Sequence, residues 1–290
     1  MTIAINELLS KNIIYTSPES IRSGFLAPMF LRQKPNGSIR PIFKLKPLNQ
    51  YIKLRRFRLI NHYRIPGFLQ EDDFLATIDL SEAYCHVPVK EGHRRFLSFH
   101  FEGKIYSWKC LPFGLASAPQ AFSQLTNWVA ELLRKQRLRI LVYLDDFLIA
   151  AQSPQLFVTH SCMAVHLLQH LGWQVNIEKS CLDPCQIRTY LGLQWDTHSQ
   201  RVSLPPTKVT RLRNLLSALQ RSPRWSLRSY QSLLGQLNFA AFAVPLGRLH
   251  LRPLQIAART LSKSSPRKTQ AMPPKHSQPQ NQRHDRSPNL

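Results

Sequence analysis

Short apolar runs broken by polar turns fill much of the chain, and longer segments with helical spacing lie between and after them. Following a short helical start, residues 25–32 and 39–45 read as strands flanking KPNGS, whose Asn36-Gly37 pair is a hairpin signal. Residues 74–78 read as a strand ending in Asp79. Over residues 116–134, Ala118, Phe122, Leu125, Val129, Leu132 and Leu133 recur at helical spacing. Residues 140–150 make a strand-turn-strand pattern centred on Asp145 and Asp146. Residues 157–171 are amphipathic through Met163, Leu167, Leu168 and Leu171, and Gly172 stops them. Trp173, Val175 and Ile177 then alternate as a strand, and residues 190–195 and 201–204 add a hairpin. Beyond Pro205 and Pro206, one stripe of Val209, Leu212, Leu215, Leu216 and Leu219 and another of Leu227, Tyr230, Leu233, Leu234 and Leu237 predict two helices.

Strand, helix, hairpin, helix, strand is the split βαβ layout of a ferredoxin-like sheet, so the expected class is α+β. Four regions follow: a basic N-terminal region (1–73), a sheet region (74–205), a helical appendage (206–258) and a tail (259–290). Part of 88–110 belongs to either of the first two. The tail is Ser, Pro, Gln and basic residues with almost nothing to bury, which predicts disorder.

Charge narrows the partners. Among 290 residues, 39 Lys and Arg face 16 Asp and Glu, a formal net charge of +23. Such an excess attracts a polyanion, most often nucleic acid, although anionic membrane surfaces or ribosome-like assemblies share the chemistry. The cations Lys34, Arg40, Lys44, Lys46, Lys53, Arg55, Arg56 and Arg58 crowd beside Phe43, Tyr51 and Phe57. A phosphate-facing surface is preferred there to a merely solvated face. No run approaches the ~20 apolar residues of a membrane span. The start carries Glu7 and Lys11 and lacks signal-peptide order. Five cysteines in so long a chain fit a reducing, intracellular compartment. His160, Cys162, Cys181 and Cys185 fit no standard zinc spacing, and ordinary thiols are the preferred reading.

The sharpest chemical signal is LVYLDDFLIA, two adjacent carboxylates inside an apolar segment. Neighbours in a strand point to opposite faces, so both reach one centre only at a tight turn. Burying two like charges is costly unless a cation neutralises them, and a hard divalent ion with oxygen ligands does so. The alternative is an exposed Asp-Asp turn. Asp79, at the end of FLATID, is a third carboxylate. Locally it reads equally as an N-cap, with Glu82 three residues on completing a capping box. Glu71, Asp72 and Asp73 precede a strand in a polar stretch and read as a loop.

FLATIDLSEAYCHVPV, LPFGLASAPQAF and VYLDDFLIA, in that order and spacing, resemble the successive palm motifs of reverse transcriptases over residues 24–250. The resemblance implies a right-hand polymerase with fingers, a ferredoxin-like palm and a short helical thumb. It implies that Asp79, Asp145 and Asp146 bind two Mg²⁺ ions, with Mn²⁺ as a substitute. Lys179 resembles a lysine that protonates pyrophosphate. Tyr84 matches an aromatic residue that clashes with a ribose 2′-hydroxyl, with a core tyrosine as the plainer alternative. Arg40 and Lys34 match triphosphate-gripping residues, and Phe113, Gly114 and Tyr143 complete the nucleotide site. Lys44 stands where relatives usually carry Asp. TYLGLQWD resembles a primer-grip hairpin. The strings GFLAPMFLRQKPNGSIRP, LPFGLASAP and LLGQLNFAAFAVPLGRLHLRPL look most like DIRS-type retrotransposon polymerases. The implied partners are an RNA or DNA template-primer, dNTPs and other element-encoded domains such as ribonuclease H, whose pattern is not seen after the helices. An RNA-dependent RNA polymerase is disfavoured by Tyr84. A nucleic-acid-binding remnant without catalysis is the remaining alternative.

Overall fold

The computed structural model describes residues 2–17, 24–33, 39–221 and 226–264. The chain divides into two units, residues 1–209 and 210–290.

The first unit begins with α1 (Thr2–Ser10) and β1 (Ile14–Ser17), then β2 (Met29–Gln33), β3 (Ile39–Phe43) and α2 (Lys46–Asn49). Next come β4 (Phe74–Asp79), α3 (Glu91–Arg94), β5 (Ser98–Phe101), β6 (Lys104–Trp108) and α4 (Ala118–Lys135). The hairpin β7 (Arg139–Tyr143) and β8 (Asp146–Ala151), α5 (Pro154–His170), and β9 (Ile187–Tyr190), β10 (Leu193–Asp196) and β11 (Arg201–Ser203) complete its regular elements.

The central sheet has the antiparallel order β4-β8-β7. As the middle strand, β8 is closed on both edges, and Phe147 to Ala151 are all buried. The apolar stripe of α4 packs against β7, and α5 packs on β4 and β8. Phe122, Leu133, Phe157 and Leu168 are removed from solvent, each contributing ~1.5–3 kcal/mol. The start of α5 follows from local chemistry. The Ser153 hydroxyl accepts the Leu156 N–H at 3.2 Å, and Pro154 occupies a position where no N–H is needed.

One end of this sheet is pinned by a residue that sequence placed in a plain loop. Asp73 is fully buried; its carboxylate takes a 2.5 Å bond from Arg139, the Gln70 N–H at 2.8 Å and the Gln152 amide. The Thr197 hydroxyl also donates to its carbonyl at 2.6 Å.

Two expected elements differ. Residues 173–177 are not a strand, although Val175 bridges Leu80. Backbone bonds flank that bridge, the Ser81 N–H to the Gln174 carbonyl and the Asn176 N–H to the Asp79 carbonyl, both at 2.8 Å. Side chains end the ladder beyond it: the Ser180 hydroxyl accepts the Asp79 N–H at 3.1 Å, and Asn176 Oδ1 accepts the Lys179 N–H at 3.2 Å. The expected strand 190–195 is split at Leu191 and Gly192, both at positive φ, giving the meander β9-β10-β11. A further sheet, β1-β6-β5, was not marked by the sequence pattern. Phe43, expected beside the basic surface, is buried edge-on to Trp108.

Helix α6 (Pro206–Arg221) runs across the boundary between units. The second unit continues with α7 (Leu227–Ala240), α8 (Gly247–His250) and α9 (Arg252–Ser264), in which α9 packs on α7. Gly247 is needed here, because a Cβ would lie 2.8 Å from the Ala241 Cα. Since α9 reaches Ser264, the expected tail boundary at 259 falls inside a helix. Residues 265–290, the rest of that tail, lie outside the described residues, as do Lys34 and the Asn36-Gly37 turn. Among the described residues no helix is long and apolar enough to cross a membrane.

Candidate nucleotidyl-transfer site

Sheet register brings the three acids together. Asp79, the last residue of β4, lies directly opposite Asp146, the first of β8, and Asp146 also faces Tyr143 of β7. Leu144 and Asp145 form the two-residue turn between β7 and β8. Leu144 has φ +54°, a left-handed conformation unfavourable for a branched side chain. This turn breaks strand alternation, so Asp145 joins Asp79 in lining one cavity of about 520 Å³. Asp79 and Asp146 line a second, of about 230 Å³. Asp79 is common to both.

The electrostatics are those of carboxylates lacking enough positive charge. Burial, reinforced by the charges of Asp145 and Asp79, pushes Asp146 up to about 6; Lys179 partly offsets this. Burial likewise raises Asp79, with Asp145 adding to the shift and Lys179 opposing it. Burial and then the Asp145 charge raise the Tyr84 hydroxyl. The Tyr190 hydroxyl donates to the Asp146 carbonyl at 3.1 Å and braces β8 from β9.

Among the described residues, no three His, Cys, Asp or Glu side chains form a ready metal cage. Cys162 lies exposed on α5. The acids still fit a hard divalent ion. Two of the three acids line each cavity, and Mg²⁺ commonly takes one or two carboxylates with phosphates and water. The N-cap reading of Asp79 is not what forms. Glu82 turns to Lys11, and the Asp79 N–H goes to Ser180.

Lys179 Nζ stands 3.8 Å from Asp79 Oδ1, carried there by the turn that Asn176 and Ser180 shape. The Tyr84 ring is edge-on to Phe113 at 5.1 Å and to buried Phe122 at 5.2 Å. Gly114 has φ +96°, which a side chain would resist. Arg40 lies in β3 opposite Arg32. Lys44, Lys46, Lys53, Arg55, Arg56 and Arg58 are exposed, with Tyr51 and Phe57 exposed among them.

Two residues went unmarked in sequence. Asn49, at the end of α2, donates to the Gly114 carbonyl and accepts the Ala116 N–H, both at 2.9 Å, and so clamps the loop bearing Phe113. Nothing in its local pattern announces this. Lys11 pairs with Glu7 and Glu82; its spacing of four from Glu7 was the available signal.

Known proteins resemble this chain over most of its length. The Pro-Pol polyprotein of feline foamy virus is 27% identical over 84% of this chain and 20% of its own length. The Gag-Pro-Pol polyprotein of human T-cell leukemia virus 3 is 26% identical over 88% of this chain and 18% of its own. The Tf2-3 transposon polyprotein of Schizosaccharomyces pombe is 23% identical over 84% and 17%. The chain thus spans about a fifth of these relatives. A foamy viral protease-reverse transcriptase, solved in complex with double-stranded DNA, superposes with a TM-score of 0.76 at 22% identity. That match covers 88% of this chain and 42% of the other, so the fold is that of a right-hand polymerase. A model of the reverse transcriptase (RNA-dependent DNA polymerase) family matches residues 32–195, over half of the chain, and the protein belongs to that family.

Proposed function

We propose that this chain is the polymerase region of a mobile element, an RNA-directed DNA polymerase that extends a primer 3′-hydroxyl with dNTPs on an RNA or DNA template. One observation carries this: the sheet register sets Asp79 opposite Asp146, with Asp145 in the adjoining turn, although Asp79 is remote from both in sequence. Reverse transcriptases generally use divalent metal ions. Two Mg²⁺ ions, or Mn²⁺ in their place, would supply an activated primer hydroxyl and offset charge on the leaving pyrophosphate.

The chain's own residues do the rest. Asp79, Asp145 and Asp146 hold the ions. Tyr84, braced by Phe113 and Phe122, presents its ring to the sugar and rejects a 2′-hydroxyl. Phe113, Gly114 and Tyr143 line the nucleotide's place, and Lys34 and Arg40 grip the triphosphate. Lys179 gives a proton to departing pyrophosphate. The exposed cations from Lys44 to Arg58 follow the template backbone. In this reading residues 1–73 act as fingers, 74–205 as palm and 206–258 as thumb. The partners are template-primer, dNTPs and further domains of the polyprotein such as ribonuclease H, inside a cell. Retroviral and Tf2 polyproteins are the relatives at hand; placement with DIRS-type elements rests on the three strings that resemble them.

Extension of a DNA primer on RNA with dNTPs and Mg²⁺ tests the reading beside Asp145→Asn. Activity in the parent and its near-total loss in the variant are expected. A folded parent that binds primer-template and extends nothing with either metal would establish the inactive remnant instead.

A further inference from the structure

The cavity that holds Asp79 and Asp145 has a second wall, which the polymerase reading leaves without a role. Glu7 and Lys11, from α1 and the turn after it, line it together with Glu82. Lys11 Nζ is 2.8 Å from Glu7 Oε1 and 2.5 Å from Glu82 Oε1, and both bonds raise its pKa. This is not a loose end. Ala4 and Ile5 bury the inner face of α1, and Ile13 and β1 tie the following residues to Lys109 and β6. These residues precede the span matched by the family model.

Glu82 is an unusual place for a side chain to be held. Its φ is +48°, a left-handed conformation disfavoured for glutamate. It opens the short 3₁₀ turn Ala83–His86 that carries Tyr84, and its carbonyl accepts the Cys85 N–H at 2.8 Å. Whatever fixes Glu82 therefore fixes the start of the turn bearing Tyr84. The cavity walls also carry the carboxylates of Glu7, Asp79, Glu82 and Asp145 against the ammonium groups of Lys11 and Lys179. Asp79 and Asp145 are acids proposed to hold the ions. Glu7 and Glu82 have no such role, and without Lys11 they would repel a polyanion entering the cavity.

We propose that Lys11 is a positioning residue for nucleotide binding. By pairing with Glu82 it holds the turn that bears Tyr84 and cancels wall charge that an incoming nucleoside triphosphate would otherwise meet. The inference rests on the polymerase reading, and nucleotide affinity separates the two. With the full chain on a primer-template ended by a dideoxynucleotide, affinity for the next dNTP is measured with no chemistry taking place. KM and kcat follow on an extendable primer.

Lys11→Met should weaken dNTP affinity and raise KM about fivefold, the size of one uncompensated surface charge, with kcat within about twofold. It should also narrow the preference for dNTP over rNTP. Lys11→Arg should restore affinity, and Glu82→Gln placed on Lys11→Met should recover most of it. A folded Lys11→Met with parental affinity overturns the proposal. So does a double variant in which the two effects simply multiply, since a charge pair must show coupling. A parent that binds dNTP but extends nothing refutes the polymerase reading, while the binding cycle still decides Lys11. A parent that binds no dNTP overturns both.

Discussion

Replacing Asp146 with Asn should make the metal-free protein more stable at neutral pH while destroying its proposed activity. In the folded chain Asp146 lies at about 6 against an ordinary 3.8, raised by burial and by the charges of Asp145 and Asp79. A raised acid means that the folded state prefers the protonated form. Ionised Asp146 therefore destabilises the fold, by nothing below pH 3.8 and by the full amount above pH 6. Two pKa units correspond to ~3 kcal/mol, and because the side chain is only partly buried, screening brings this to about 1–2 kcal/mol. Asn keeps the shape and removes the charge. Urea denaturation in EDTA reads the effect: Asp146→Asn should gain about 1–2 kcal/mol at pH 8 and nothing at pH 3.5. Mg²⁺ should narrow the gap at pH 8 by stabilising the parent more. Equal stability at pH 8, or a gain of the same size at both pH values, would refute the account of these acids as mutually repelling and under-neutralised.

Two further substitutions separate positioning from support. Asn49→Ala removes both bonds to the 114–116 loop, and should lower kcat/KM for dNTPs about tenfold while costing ~1–2 kcal/mol in thermal denaturation. Asn49→Asp keeps an acceptor for Ala116 but loses the donor to Gly114, so it should fail to rescue; full activity in that variant would sink the clamp. Asp73→Ala strands the Arg139 guanidinium and should cost about 3 kcal/mol in urea denaturation, since breaking a buried pair leaves one charge uncompensated. A loss below ~1 kcal/mol would show that the pair contributes little.

Periodicity carried most of the central sheet and the helices packed on it. β4, α4, the β7–β8 hairpin and α5 lie within a few residues of the expected bounds, because each buries strongly apolar residues against its neighbours. The sheet β1-β6-β5 was missed for the opposite reason. Ser17, Ser98 and Ser107 are buried in it, bonding to one another at 2.6 Å, so strands that pack inward look polar in sequence. Asp73 misled in the same way. An acid in a run of acids looks solvated until Arg139, 66 positions later, is seen to meet it.

The site was legible wherever chemistry forces residue type, and illegible wherever a side chain stands in for backbone. Three acids at apolar strand ends announce themselves, because burying like charge without a purpose is too costly to be common. Asn49 and Ser180 do not, since an amide or hydroxyl in a loop is ordinary until its partner is known. The segment 173–177 shows what this costs an argument from pattern. Its alternation fits a strand, yet Asn176 turns the chain and Ser180 takes the Asp79 N–H that a strand would have taken. That substitution brings Lys179 to within 3.8 Å of Asp79, where an uninterrupted strand would have carried it past. The strand that does not form and the cation that stands beside Asp79 have the same cause.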